Sequence, residues 1–225
     1  MICLVTDRRR LAAAGAAPAA MRACLIAQAR RAAEAGVDLI QVREPDLEAG
    51  ALAALVGDLL AATEGTSTRL VVNDRLDVAL ACGAAGVHLR GDSLPVDAAR
   101  RLALHGFLVG RSVHSVAEAI AASAADYLIA GTMFATASKR AGAPLLGVDG
   151  LRALVEAVSI PVLAIGGVGP DRIGEVAAAG AAGFAAIGMF MASHPGADPA
   201  GCGVVELRQI VKSARARFDS PTTTP

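Results

Sequence analysis

Short aliphatic runs recur along this chain, each followed by an alanine-rich stretch with helical periodicity. The runs fall at 2–6, 39–43, 70–73, 86–89, 107–110, 127–131, 162–165 and 183–187. Helices are predicted between them near 18–35, 47–63, 75–83, 95–104, 115–124, 147–157 and 170–179, with a last one near 203–217. The runs are continuous in Val, Ile and Leu without polar alternation, the pattern of parallel strands buried on both faces. Repeated strand–helix order calls for a parallel sheet with right-handed crossovers. Eight such units in 225 residues predict a closed (β/α)8 TIM barrel, whose usual size is about 250 residues. An open doubly wound sheet is the alternative. It would carry a glycine fingerprint after the first strand, where this chain has Thr6-Asp7-Arg8-Arg9-Arg10.

The junctions agree. Gly36, Gly83 and Gly180 stand where helices stop, and Pro95 and Pro170 where first-turn prolines are tolerated. No break in pattern divides the chain, so a single barrel domain is expected over 1–217. A polar, proline-bounded and frayed tail is expected over 218–225.

Composition narrows the function classes. The 21 basic and 21 acidic residues balance, which weighs against a general nucleic-acid-binding surface. No apolar run reaches the roughly 20 residues of a membrane span, and Met1–Asp7 lacks the features of a signal peptide. Cys3, Cys24, Cys82 and Cys202 are widely spaced with no CxxC, the pattern of reduced thiols. A cytoplasmic protein with a small-molecule ligand is expected, free of nucleic-acid or membrane partners. Assembly into a homo-oligomer is compatible with the sequence.

Position makes the polar residues informative, because strand C-termini carry the chemistry of such barrels. Just past the aliphatic runs come Gln41 and Arg43, Asn73 and Asp74, and His88. Arg111, Ser112 and His114 follow, then Thr132, Thr136, Ser138 and Lys139. Arg43 offers a planar fork suited to phosphate or pyrophosphate. Gly166-Gly167, ahead of a helix opened by Pro170, and Ile187-Gly188 after the eighth run form the expected phosphate station. His114 is the candidate proton carrier, and His88 reads equally as a core residue. Asp74 and Asp92 could hold magnesium between neighbouring strand ends; otherwise Asp74 is a helix N-cap and Asp92 a loop residue.

At these residues the chain resembles the thiamin phosphate synthase and TenI family. The matching phrases are Gln41-Val42-Arg43-Glu44, Val72-Asn73-Asp74-Arg75, Gly86-Val87-His88-Leu89 and Gly110-Arg111-Ser112-Val113-His114-Ser115. They continue in order with Gly131-Thr132-Met133-Phe134-Ala135-Thr136-Ala137-Ser138-Lys139 and Ile160-Pro161-Val162-Leu163-Ala164-Ile165-Gly166-Gly167-Val168. The resemblance implies a (β/α)8 barrel acting on phosphorylated heterocycles. Synthases of the family join a pyrimidine pyrophosphate to a thiazole phosphate with magnesium, releasing pyrophosphate. TenI-like members aromatise a thiazole phosphate tautomer with a histidine and no metal.

Two departures bear on the branch. Where synthases carry Gln-x-Arg-x-Lys, this chain has Pro45; where they carry the magnesium aspartate of a Gly-Gln-x-Asp phrase, it has Ser93, with Asp92 one residue earlier. Loss of a cation and a metal ligand weakens stabilisation of departing pyrophosphate. The leading expectation is therefore a metal-free tautomerase with His114 as proton carrier and Arg43 and Lys139 holding anionic groups. Gln41, Asn73, Ser112, Thr136, Ser138, Gly166, Gly167, Ile187 and Gly188 would line the substrate site. A magnesium-dependent synthase using Asp74 and Asp92 is the alternative, and a non-catalytic thiazole or thiamin phosphate-binding barrel a third.

Overall fold

The computed structural model describes residues 1–12, 15–136, 144–191 and 204–219. Eight parallel strands close in sequence order: β1 Ile2–Val5, β2 Leu39–Val42, β3 Arg69–Asn73, β4 Gly86–Leu89, β5 Leu108–Val113, β6 Tyr127–Ala130, β7 Val162–Ile165 and β8 Gly183–Ala186. The seam joins β1 to β8, with Ile2 opposite Phe184 and Cys3 opposite Ala185. The (β/α)8 barrel is thus formed, and the open sheet is ruled out by its closure.

Alternation along the strands explains why they read as unbroken apolar runs. Cys3 and Val5 of β1 point inward, beside Leu39, Val71, Ile129, Leu163 and Ala185. Ile2 and Leu4 point outward into the larger core under the helices. Both faces are buried, so neither tolerates polar positions until the strands end.

The outer layer begins with α1 Arg8–Leu11, α2 Pro18–Glu34, α3 Ala49–Thr63 and α4 Leu76–Ala81. It continues with α5 Val96–Leu102, α6 Val116–Ala121, α7 Gly147–Glu156, α8 Ile173–Ala178 and α9 Val204–Asp219. Proline at the first turn of α2 costs no hydrogen bond. In α6, Ser115 caps the helix by accepting the Glu118 amide. Leu25, Leu55 and Leu59 are fully buried, each such side chain contributing about 1.5–3 kcal/mol. At the closed end, Arg215 of α9 donates to Gly36 O and pairs with Asp38 at 2.8 Å, while Asp38 accepts the Ile2 amide at 2.7 Å.

Four features differ from the sequence expectations. Helix α9 continues to Asp219, with the Phe218 ring 6.2 Å from that of Phe184, so the segment expected to fray begins inside a packed helix. Strand β5 runs three residues beyond Gly110, which places Arg111 and Ser112 in the barrel wall. The arginine-rich Arg8–Leu11 segment forms a helical turn, with Arg8 neutralised by buried Glu44 and by Asp46. Finally, Pro170 opens a 3₁₀ turn, Pro170–Arg172, ahead of the six-residue α8. The helix dipole behind Gly166-Gly167 is correspondingly small.

Candidate active site

The C-terminal ends of all eight strands open into one cavity of about 1080 Å³, lined by Val5, Gln41, Asn73, His88, Ser112, Ile129, Ile165 and Ala185 from the strands. Small-molecule pockets usually span about 300–1,000 Å³, so this one has room for two phosphorylated heterocycles side by side.

One side is made of backbone. Gly166 and Gly167 have φ of 98° and 67°, values that glycine adopts without steric cost. A Cβ on Gly166 would lie 2.5 Å from Thr132 Cγ2, and one on Gly167 2.8 Å from Phe134 Cβ. The chain after β6 presses against both glycines, with the Phe134 amide donating to Gly166 O at 3.0 Å. Gly188 opens a 3₁₀ turn after β8, and Ile187 and Gly188 also face the cavity. The nearest atom to a Cβ built on Gly188 is Arg10 Nη2, at 3.8 Å. Arg10, from α1, therefore brings a cation to the glycine station; sequence reading gave it no role. Its signal was an arginine cluster directly after the first strand.

The floor holds a buried polar chain. His88 Nε2 lies 2.9 Å from Ser112 Oγ and His88 Nδ1 3.3 Å from Tyr127 Oη. Burial depresses the His88 pKa to about 3 and raises that of Tyr127 well above the usual phenol range. Both are neutral at physiological pH, so His88 orients Ser112 and takes no part in proton transfer as an imidazolium. Tyr127, the chain's one tyrosine, was read only as the start of an aliphatic run. Its ring occupies space that Gly110 leaves, where a Cβ would come within 2.2 Å of Tyr127 Cζ.

The opposite side is made of side chains. Gln41 Nε2 donates to Asn73 Oδ1 at 2.9 Å, presenting a paired amide surface to the cavity. Arg43 is exposed at the cavity wall, and its amide donates to Thr6 Oγ1 at 2.9 Å. Thr6 in turn donates to Glu44 Oε1 at 2.7 Å, and Glu44 Oε2 pairs with Arg8 at 2.7 Å. Arg8 also pairs with Asp46, holding that carboxyl below its ordinary range. The backbone carrying Arg43 is thus pinned by a buried network.

Asp74 and Asp92 are brought together. Asp74 Oδ2 lies 3.1 Å and Asp92 Oδ1 3.2 Å from the same atom, Arg90 Nε. Asp74 is not the N-cap of α4; that place belongs to Arg75, with no side-chain cap bond. Instead Asp74 has φ 63° and its amide donates to His88 O at 2.8 Å, turning the carboxylate toward the loop after β4. Arg111 holds that loop, donating to Leu94 O at 2.7 Å and Gly91 O at 2.8 Å. Among the described residues no group of three or more Asp, Glu, His or Cys could hold a metal. Magnesium typically needs only one or two carboxylates, completed by substrate phosphates and water, and the Asp74–Asp92 pair fits that requirement.

His114 stands at the rim, exposed, with Nδ1 3.2 Å and its amide 2.8 Å from Glu118 Oε2. Both His114 and Glu118 line the cavity, as does Thr136. Ser138 and Lys139 lie outside the described residues. His105 is exposed away from the cavity.

A closed barrel whose strand C-termini surround one cavity lined by Gly166, Gly167, Gly188 and arginines defines a class: (β/α)8 barrels with their sites at the strand C-termini, where phosphate groups are commonly bound after strands 7 and 8. A family model described as thiamine monophosphate synthase matches residues 4–190, and this chain belongs to that family. The thiamine-phosphate synthase of Methanoregula boonei is 42% identical over 192 residues, covering 84% of this chain and 87% of the relative. That of Methanoculleus marisnigri is 45% identical over 161 residues, covering 71% and 76%. The solved thiamine phosphate pyrophosphorylase of Pyrococcus furiosus superposes with a TM-score of 0.75 at 34% identity, covering 95% of this chain and 96% of that one. A 3-hexulose-6-phosphate synthase at 22% identity and TM-score 0.64 shares the fold alone. No helix among the described residues is long and apolar enough to cross a membrane. The leaning toward the tautomerase branch finds no support here, since these relatives carry the synthase name.

Proposed function

We propose that this chain is a magnesium-dependent thiamin phosphate synthase, joining a pyrimidine pyrophosphate to a thiazole phosphate with release of pyrophosphate. The observation that carries this reading is the convergence of Asp74 and Asp92 on one cationic atom at 3.1 and 3.2 Å, with Arg90 and Asp92 at the wall of the cavity that Gly166, Gly167 and Gly188 also line. Asp74 and Asp92 would hold magnesium, whose chemistry there is to neutralise charge building up on the departing pyrophosphate. Arg43 and Lys139 supply further positive charge to that group. The Gln41–Asn73 pair offers donors and acceptors to the edge of the pyrimidine ring, and Ser112, oriented by neutral His88, adds a hydroxyl from below. Backbone amides of Gly166, Gly167 and Gly188, with Arg10 nearby, hold the thiazole phosphate so that its ring nitrogen faces the pyrimidine methylene. The C–O bond to pyrophosphate breaks as the C–N bond forms, and placing both partners in one cavity makes the step effectively unimolecular.

The second reading, a thiazole tautomerase, is favoured by the His114–Glu118 pair on the rim and by Pro45 in place of lysine. Two substitutions separate the readings. A synthase should lose thiamin phosphate formation with Asp74→Asn and keep most of it with His114→Ala. Retained synthesis in Asp74→Asn, or thiazole aromatisation that vanishes with His114→Ala, would overturn the synthase reading.

A further inference from the structure

Arg90 follows β4 directly, and its side chain is 54% exposed. Its Nε sits between Asp74 Oδ2 at 3.1 Å and Asp92 Oδ1 at 3.2 Å, and its amide lies 3.4 Å from Asp74 Oδ1. The guanidinium occupies the place between two carboxylates that a divalent cation would take, using oxygens that such a cation would need. We propose that Arg90 is a built-in counter-cation that competes with magnesium for Asp74 and Asp92 and so sets the metal affinity of the site. The proposal rests on the synthase reading and deepens it.

The physical case has three parts. Two carboxylates facing each other without a cation repel, so a guanidinium between them relieves a strain that the fold otherwise imposes. Arginine stays charged at any physiological pH, so it leaves only when displaced by another cation. Exposed ion pairs of this kind are weak, worth about 0–1 kcal/mol each, so a divalent ion with higher charge density can displace it. Charged groups facing Arg90 from neighbouring elements do not hold it elsewhere. Arg111 is committed to the carbonyls of Leu94 and Gly91, and Arg75 to Asp77 at 2.6 Å. Arg90 already lines the cavity, as Asp92 does, so its partly exposed side chain has room to swing away.

The test is a titration with Mn²⁺ alone, followed by electron paramagnetic resonance, on the full-length protein and on Arg90→Gln, Arg90→Lys, Asp74→Asn and Asp92→Asn. Removing the competitor in Arg90→Gln should tighten Mn²⁺ binding by about three- to tenfold, within the roughly 0–2 kcal/mol that two exposed pairs can supply. Arg90→Lys, which keeps a charge without the fork, should fall between. Both carboxylate variants should weaken binding, which marks the site. Equal or weaker Mn²⁺ binding in Arg90→Gln, with both carboxylates still required, would overturn the competition and leave Arg90 as a structural tie. Mn²⁺ binding indifferent to Asp74→Asn and Asp92→Asn would instead remove the metal site on which the synthase reading stands. Absence of binding in every variant would overturn both.

Discussion

The two sides of the cavity are built from different material. Facing β7 and β8, the proposed phosphate site rests on backbone: Gly166 and Gly167 at positive φ, wedged against the chain after β6 with 2.5 and 2.8 Å between a notional Cβ and its neighbours. Facing β2 to β4, the wall is made of side chains: Gln41, Arg43, Asn73, Arg90 and Asp92 line it, with Asp74 paired to Arg90 and the buried Thr6–Glu44–Arg8 network as support. Gly166 and Gly167 admit almost no substitution, because a Cβ at either would press into the chain after β6 from a left-handed backbone. A side-chain site can be redrawn residue by residue. Both departures from the synthase pattern, Pro45 and Ser93, fall on the side-chain half. The difference teaches where a barrel of this kind can change its chemistry without losing its phosphate.

Breaking the side-chain half at its support should have the largest effect. Glu44 and Arg8 have side-chain exposures of 2% and 10%, and Glu44→Gln removes the charge of Arg8's most buried partner. A loss of roughly 3 kcal/mol in stability is expected, read by chemical denaturation, with Arg8 partly compensated by Asp46. An unchanged midpoint would show that the network does not hold Arg43 in place.

Removal of a carboxylate comes next. Asp74→Asn should lower kcat/KM for thiamin phosphate formation by on the order of 100-fold or more, beyond the 10–100-fold typical of losing a metal's supporting partner. The fold should be little changed, since the Asp74 side chain pairs only with the partly exposed Arg90 and caps no helix. On the backbone half, Gly166→Ala forces a side chain into the left-handed region against Thr132. Strain of about 1–3 kcal/mol should raise KM for the thiazole phosphate by roughly ten- to a hundredfold, with little change in the metal dependence. Equal damage to both substrates would mean that the two halves are not separable.

A pH dependence from the cavity floor, absent at neutral pH, comes last. His88 titrates near 3 in the folded chain, against 6.5 when unfolded. Between those values the unfolded state binds a proton that the folded state refuses. The stabilisation is therefore complete above about pH 6.5 and declines as pH falls toward 3, by at most about 1.4 kcal/mol per pH unit. Thermal unfolding between pH 7 and 4.5 checks this, and a His88→Asn variant should show a flatter profile.

Much of this arrangement was legible in the chain. The unbroken aliphatic runs gave the eight strands because barrel strands are buried on both faces. Gly166, Gly167, Gly188, Gln41, Arg43 and Asn73 could be placed because strand C-termini converge whatever the loops do. What escaped was set by pairing across elements. Ser112 was expected beyond its strand, but the ladder to β6 extends β5 to Val113. Asp74 offered two roles in sequence, and only the approach of the loop after β4 separates them. Arg8 and Arg10 read as a polar stretch because their partners, Glu44, Asp46 and the Gly188 turn, lie far away along the chain. His114 drew attention as a histidine just past the fifth aliphatic run, and the branch it pointed to rested on Pro45 and Ser93, whereas the named relatives are synthases.

The most direct measurement is thiamin phosphate formation by the purified, folded protein from the pyrimidine pyrophosphate and the thiazole phosphate, with magnesium, with a chelator, and with magnesium restored. Product that appears with magnesium, disappears with the chelator and returns on restoration is expected. Absence of thiamin phosphate under all three conditions, or synthesis indifferent to the chelator, would contradict a magnesium-dependent synthase built on Asp74 and Asp92.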